Sequence, residues 1–211
     1  NVGEIRNRGV ELLITAKPVT TSNFRWDVSF NMAYNKSKVL KISNTSKELI
    51  LATSTKAFIK HVEGEEYSQI VGRTIKRDAQ GRDIIDATGL PIVPANVVAF
   101  GSGINKYTTG IINNFAYKNF TLSAQVDGKF GGKIYSETNY SLDHRGMSLQ
   151  SLLGRASGAV LPGVTESGEE NKFLVTADRV NNRAITVRRR DALDDYIYDA
   201  SFIKLRYVSL T

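Results

Sequence analysis

The sequence predicts an all-β fold, an antiparallel transmembrane β-barrel segment of about five long strands with short turns at one end and long loops at the other. Three observations predict it. The stretch Phe24 to Asn35 alternates strictly: Phe24, Trp26, Val28, Phe30, Met32 and Tyr34 are apolar, and Arg25, Asp27, Ser29, Asn31, Ala33 and Asn35 stand between them. One face is therefore greasy and the other wet. A second copy follows at Phe120, where Phe120, Leu122, Ala124, Val126 and Phe130 alternate with Thr121, Ser123, Gln125, Asp127 and Lys129, Gly128 leaving one gap. Finally, short and long connections alternate along the chain. At about 3.3 Å per residue and a tilt of about 40–45°, about eleven residues climb about 25 Å, the height of the apolar band on an outer-membrane barrel.

The elements follow in order. Gly9 to Lys17 is the first strand, with Val10, Leu12, Ile14 and Ala16 on one face; Pro18, which cannot donate to a ladder, is expected to end it. Val19 to Asn23 is a polar turn. The Phe24 strand then runs on to Ile42. A long irregular region covers Ser43 to Asn105, with a small hairpin expected over Lys76 to Asp86 around Ala79-Gln80-Gly81. Such a length without a long strand suits an extracellular barrel loop better than a soluble sandwich. Lys106 to Tyr117 is the third strand; Ile111, Phe115 and Tyr117 share a face, but Asn113 sits among them. Lys118-Asn119 is a two-residue turn into the Phe120 strand. A second long loop covers Asn139 to Tyr198, and Asp199 to Thr211 is the last strand. There Ile203 and Leu205 fall out of phase with Val208 and Leu210, and a β-bulge near Arg206-Tyr207 would bring them together.

Phe24, Trp26, Val28, Phe30, Met32, Tyr34, Phe120, Leu122, Ala124 and Val126 are accordingly the expected lipid-facing residues. Arg25, Asp27, Ser29, Asn31, Thr121, Ser123, Gln125 and Asp127 are the expected lumen-facing ones. Aromatic rings flank both short turns, Phe24 and Trp26 at one and Tyr117 and Phe120 at the other, as in an interfacial girdle. A soluble β-sandwich, such as a carbohydrate-binding module, accepts the same alternation with the apolar face as its core. It explains the long loops and the turn aromatics poorly.

Composition narrows the classes. The chain has 211 residues, 41% hydrophobic and 23% charged, and no cysteine, so disulfides, thiol catalysis and Cys-based zinc sites are excluded. No run reaches the roughly 18 apolar residues of a transmembrane helix, which leaves barrel strands open. The start NVGEIRNRG has no leading Met and no apolar signal core, and the five strands would leave free edges; an internal piece of a longer chain is expected. Net charge is +7, but the densest cluster, Arg188, Arg189 and Arg190, is followed at once by Asp191, Asp194 and Asp195, so a solvated loop is expected there and no nucleic-acid partner.

No catalytic constellation emerges, and the chain is not read as an enzyme. His61 and His144 lie far apart in loops without sequence-local partners, and HExxH, GxSxG and P-loop spacings are absent. Gly101 to Lys106 and Gly128 to Lys133 are glycine-rich without phosphate-loop spacing. Asp191, Asp194, Asp195 and Asp199 lack the ligand spacing of an EF-hand. No metal or cofactor is expected. Sequons at Asn35, Asn44, Asn119 and Asn139 are read as coincidental. Tyr67, Tyr140 and Tyr196 are loop aromatics able in principle to stack on sugars.

Several phrases together resemble the SusC/RagA family of TonB-linked outer-membrane transporters of Bacteroidetes. They are IRNRGVEL (Ile5 to Leu12), FRWDVSFNMAYNKSKVLKI (Phe24 to Ile42), DAQGRDIIDATGLPIV (Asp78 to Val93), FAYKNFTLSAQVDGKFGGKIYSET (Phe115 to Thr138) and YDASFIKLRYVSLT (Tyr198 to Thr211). The resemblance implies that residues 1–211 are part of a barrel of twenty-two strands around an N-terminal plug, with short turns periplasmic and long loops extracellular. It implies a SusD-like surface lipoprotein as partner, energy from a TonB complex through parts absent here, and an oligosaccharide or peptide as cargo.

Overall fold

A strand with one apolar and one polar face needs hydrogen-bonded neighbours along both edges, and the long strands of this chain supply them to each other. The computed structural model describes residues 3–176 and 191–211. β1 (Glu4–Thr20) and β2 (Phe24–Lys41) come first. The first loop region holds β3 (Glu48–Thr53), β4 (Phe58–Val62), β5 (Gln69–Gly72), β6 (Ile84–Ile85) and β7 (Val98–Ser102). β8 (Tyr107–Tyr117) and β9 (Phe120–Phe130) follow. The second loop region holds β10 (Lys133–Tyr135), α1 (Glu137–His144), β11 (Ala159–Val160), β12 (Val164–Thr165), β13 (Leu174–Val175) and β14 (Ile197–Asp199), and leads to β15 (Phe202–Leu210). The five long strands form one antiparallel sheet in the order β1-β2-β8-β9-β15.

The two short turns lie side by side at one end of this wall. Thr21 closes the first: its N–H donates to the Phe24 carbonyl at 2.8 Å, and its Oγ1 accepts the Phe24 N–H at 2.9 Å. Lys118 makes the second by adopting a left-handed φ of 51°, and its N–H reaches the Asn23 carbonyl at 2.9 Å, tying the turns together.

Two expectations need correction. Pro18 does not end β1, which continues to Thr20. The register breaks between Ala16 and Val19, so Lys17 and Pro18 occupy an irregularity where neither pairs with β2 and the missing N–H costs no bond of that ladder. The first long region is also not irregular: β3, β4, β5 and β7 form their own sheet in the order β3-β4-β5-β7. The expected hairpin is present within this region. Arg77 bridges Asp83, Gly81 takes φ 81°, and Asp78 Oδ1 accepts the N–H groups of Gln80 and Arg82 at 3.0 and 2.8 Å. The expected bulge in β15 is present too, with a register shift between Leu205 and Tyr207.

The buried core lies in the loops. Leu193, from the second loop region, is fully buried against Ala57 and Ile70 of the first, with Ile59, Phe100, Tyr135 and Ile197 around it. It sits so close to Gly72 that a Cβ there would lie 2.2 Å from Leu193 Cδ1. Leu90 of the first region packs with Leu161 and Val175 of the second, and β12 pairs with β6. Polar links reinforce this. Asp194 accepts from Arg77 Nη1 at 2.7 Å, from Thr74 Oγ1 at 2.8 Å and from the Ile75 N–H at 3.0 Å. Lys56 pairs with Asp191 at 2.6 Å, and Ser54 and Thr55 donate to Glu137. The two loop regions are thus one interlocked body.

Burial alone would raise the pKa of Asp194, but the bonds from Arg77, Thr74 and the Ile75 N–H outweigh it and hold the carboxyl below its ordinary range. A carboxylate depressed in the folded state stabilises above its unfolded pKa of about 3.9, and that stability is lost as pH falls through the folded value. Acidification from neutral pH to below about 4 is therefore expected to loosen the loop body. Limited proteolysis of the full-length protein should show new cuts within 54–76 and 192–199. Asp194→Asn should show them already at pH 7; a cleavage pattern unchanged by both treatments would remove the lock from this account.

Candidate functional site

The functional candidate is the wall itself, and cross-strand register decides which side chains share a face. Directly opposed residues in a sheet lie on the same side. Tyr34 stands opposite Val10 and Tyr107, and Tyr107 opposite Phe130. Phe30 opposes Ile14 and Ile111, which opposes Val126 and then Leu205; Val28 opposes Ala16 and Asn113, which opposes Ala124 and then Val208. At the turn end Trp26, Phe115, Leu122 and Leu210 form one row, and Phe24, Tyr117 and Phe120 another. All ten expected apolar-face residues therefore lie on one continuous surface, and the β15 bulge puts Ile203, Leu205, Val208 and Leu210 there as well. This surface stays open: Val10 is 67%, Ile14 50%, Ile203 72% and Leu210 71% exposed.

Aromatic rows bracket it at both ends. Near the short turns Phe24 and Trp26 each stack on Phe115, with centroids 6.5 and 5.7 Å apart. At the loop end Tyr34 and Tyr107 pack at 4.8 Å, beside Phe130. The second row was not read from the sequence, because it appears only when strands far apart in the chain are aligned. Gly128 does not leave a hole: a Cβ there would lie 2.8 Å from the Phe130 ring, which leans over the gap.

Asn113 breaks the apolar pattern, and the structure supplies its partner. Trp26 Nε1 donates to Asn113 Oδ1 at 3.0 Å across the β2–β8 pairing. Removing one partner from such a pair costs about 1–3 kcal/mol, whereas replacing both with apolar groups is near neutral. Trp26→Phe is expected to lower the unfolding temperature of the full-length protein, and Trp26→Phe with Asn113→Leu to recover most of the loss. A double variant no better than the single one would show that the bond contributes little.

The opposite face carries the eight expected polar-face residues and is cross-linked. Arg25 pairs with Asp27 at 2.8 Å. Ser123 Oγ donates to Asn114 Oδ1 at 2.8 Å, Gln125 Nε2 to Asp127 Oδ1 at 2.9 Å, and Arg206 Nε to Asp127. The bulge brings Arg206 to that carboxylate. Asn31 lies over Gly110, where a Cβ would come within 3.2 Å of its amide. Asp27 Oδ1 is buried with no hydrogen-bond partner.

The remaining candidates resolve as structural. His61 is buried, packs on the Tyr67 ring at 4.1 Å, and accepts the Ser68 N–H through Nδ1 at 3.3 Å; burial lowers its pKa. Tyr140 and Tyr196 are 3% exposed and meet edge to face at 5.5 Å, so they are core residues, not open stacking platforms. His144 stacks on Tyr140 at 6.0 Å. Asp191, Asp194 and Asp199 face Lys56, Arg77 and Lys133. Among the described residues no group of three or more His, Cys, Asp or Glu is arranged to hold a metal, and no helix is long and apolar enough to cross a membrane. Arg188, Arg189 and Arg190 lie outside the described residues.

Known proteins resemble this chain. No family model matches the chain. TonB-dependent receptor P3 of Formosa agariphila is 24% identical over 99% of this chain and 22% of its own length. TonB-dependent receptor P39 of the same bacterium is 25% identical over the whole chain and 24% of its own length. The chain is a homologue of TonB-dependent receptors. TonB-dependent receptor SusC of Bacteroides thetaiotaomicron is 24% identical over 64% of the chain and 15% of its own length. In three dimensions the whole chain superposes on 23% of a chain in the RagAB peptide transporter, with a TM-score of 0.63 and 17% identity, which supports the shared fold. The chain thus spans 22–24% of the length of the curated relatives that it matches end to end. TonB-dependent receptors are outer-membrane proteins and not enzymes.

Proposed function

We propose that residues 1–211 form a partial barrel domain, a stretch of wall in an outer-membrane transporter that imports nutrients. The observation that carries this reading is the continuous apolar face of five strands bracketed by aromatic rows, with short turns at one end and folded loops at the other. In this reading Phe24, Trp26, Val28, Phe30, Met32, Tyr34, Phe120, Leu122, Ala124 and Val126 meet lipid. Arg25, Asp27, Ser29, Asn31, Thr121, Ser123, Gln125 and Asp127 face the lumen or a plug within it. The turns are periplasmic, the loop body is extracellular, and further strands complete the barrel to twenty-two. The wall acts passively, as a hydrated surface that hydrogen-bonds plug and cargo.

The likeness to SusC and to RagAB supports a surface lipoprotein partner, TonB-dependent energy and an oligosaccharide or peptide cargo. The soluble-sandwich alternative needs a cover for the apolar face, yet large residues on it remain open. The deciding experiment expresses the full-length protein and fractionates the cells. The expected result is recovery with the outer membrane, heat-modifiable migration in gels, and co-purification with a lipoprotein of the SusD type. A monodisperse, cooperatively melting monomer without detergent would favour the sandwich.

A further inference from the structure

We propose that the wall carries a binding site for phosphate groups of outer-leaflet glycolipid, formed by Arg6, Arg8, Lys36 and Lys38. The proposal rests on the apolar face meeting lipid. β1 and β2 pair without interruption from Ile5 to Ala16, so residues of equal parity stay on one face. Val10 opposes Tyr34 in the loop-end aromatic row; the next same-face pair is Arg8 opposite Lys36, and the next Arg6 opposite Lys38. Four cations therefore stand two by two on the apolar face's own side, directly beyond its aromatic edge.

Among the described residues their surroundings give them no ion-pair partner, and Glu65 is the one nearby carboxylate not engaged elsewhere. All four residues are exposed. No carboxylate forms an ion pair with any of them, and none of their side chains makes a hydrogen bond among the described residues. Glu65 and Glu66 share a crevice with Lys36 and Lys38, but Glu66 is taken by Lys106 at 2.8 Å. Like charges directly opposite each other in a ladder are destabilising, and two consecutive cross-strand pairs repeat the arrangement. An anion between them would turn that repulsion into attraction, and the guanidinium forks of Arg6 and Arg8 suit phosphate oxygens.

Position selects the anion. Two residues of a tilted strand rise about 5 Å, so Arg8 and Lys36 stand about 5 Å, and Arg6 and Lys38 about 10 Å, above the aromatic row. The headgroup zone of a leaflet is roughly 5–8 Å deep, so the lower pair stands within it and the upper pair just beyond its outer edge, within reach of headgroup phosphates through their long side chains. At the turn end the same face carries aromatics, and Lys118 there lies over the Tyr117 ring at 5.5 Å. The cationic quartet marks only the loop end, which is the extracellular side in the reading above. The phosphorylated lipid of that leaflet, a lipopolysaccharide, is the occupant we assign.

The test uses the full-length receptor purified from outer membrane in detergent. Binding of bis-phosphorylated lipid A, enzymatically dephosphorylated lipid A and inorganic phosphate is measured by native mass spectrometry and thermophoresis. Each cation near an anionic lipid surface is worth about fivefold in affinity. The variant Arg6→Gln, Arg8→Gln, Lys36→Gln, Lys38→Gln is expected to bind phosphorylated lipid A at least about tenfold more weakly. The wild type is expected to prefer phosphorylated over dephosphorylated lipid by a similar factor, with inorganic phosphate a poor competitor. Heat-modifiable migration confirms that each variant folds, and the pair Arg8→Gln, Lys36→Gln should give an intermediate loss. Unchanged lipid affinity in a folded quadruple variant overturns the proposal. So does equal binding of dephosphorylated lipid, full competition by inorganic phosphate, or loss of the surface lipoprotein in place of lipid. A wild-type protein absent from the membrane would instead overturn the transporter reading, so the two failures are distinguishable.

Discussion

Val28→Arg and Val126→Arg are expected to keep the full-length receptor out of the outer membrane, while Ser29→Arg and Gln125→Arg leave insertion largely intact. Val28 and Val126 lie in the middle rows of the apolar face, between Trp26 and Phe115 at the turn end and Tyr34 and Tyr107 at the loop end. A cation at mid-depth on the lipid side of a barrel costs about 2–4 kcal/mol, and the cost falls to about 0–1 kcal/mol near the interfaces. Leu122→Arg, in the row beside Trp26, should therefore do less harm than Val126→Arg on the same strand. Ser29 and Gln125 point to the other face, where Arg25 and Arg206 are already accommodated. Membrane fractionation with heat-modifiable migration gives the readout. Equal insertion defects for substitutions on both faces would refute the facial assignment, and equal defects at Leu122 and Val126 would refute the depth argument.

Leu193→Ala should split the loop body without dismantling the wall. Leu193 is 0% exposed and carries contacts from one loop region to the other, so its truncation leaves a cavity lined by Ala57, Ile70 and the side chains packed on them. Losses of about 2–5 kcal/mol are usual for a buried Leu→Ala change. The five-stranded sheet contains none of these residues, and its ladders remain. The expected phenotype is normal insertion, rapid protease cleavage within both loop regions at neutral pH, and impaired uptake if the body contacts cargo or partner. Protease resistance equal to wild type would show that the loops are held together by their polar links alone.

The wall was legible in the sequence because each strand carries its own signal. The Phe24 and Phe120 strands announce themselves by alternation, and the phase slip after Leu205 announces the bulge that the structure contains. The loops were not legible for the opposite reason. β5 is four residues long and buried on both sides, so neither length nor alternation distinguishes it from any short apolar piece. Pro18 signals a strand end through its missing N–H, but a register break in the ladder does not need that donor. The loop-end aromatic row and the Trp26–Asn113 bond both depend on which residues face each other across strands, information absent from any single stretch of chain.

β2 and β8 zip together from Phe24 opposite Tyr117 to Tyr34 opposite Tyr107, yet the whole first loop region separates them in the chain. Bringing together the ends of a long unstructured segment is an entropic barrier that slows non-local strand pairing. The small sheet changes that arithmetic. Its β3–β4 and β4–β5 hairpins are local, it anchors to β2 by backbone bonds, Val39 N–H to the Glu65 carbonyl at 2.9 Å and Gly64 N–H to the Val39 carbonyl at 2.8 Å, and its last strand, β7, leads directly into β8. Once folded, it acts as a jig holding the starts of a remote pairing in register, so assembly can run from the loop end toward the turns. Sequence changes that slow this small sheet would then delay barrel maturation and prolong exposure of unpaired strands to periplasmic proteases, even where the finished receptor is as stable as before.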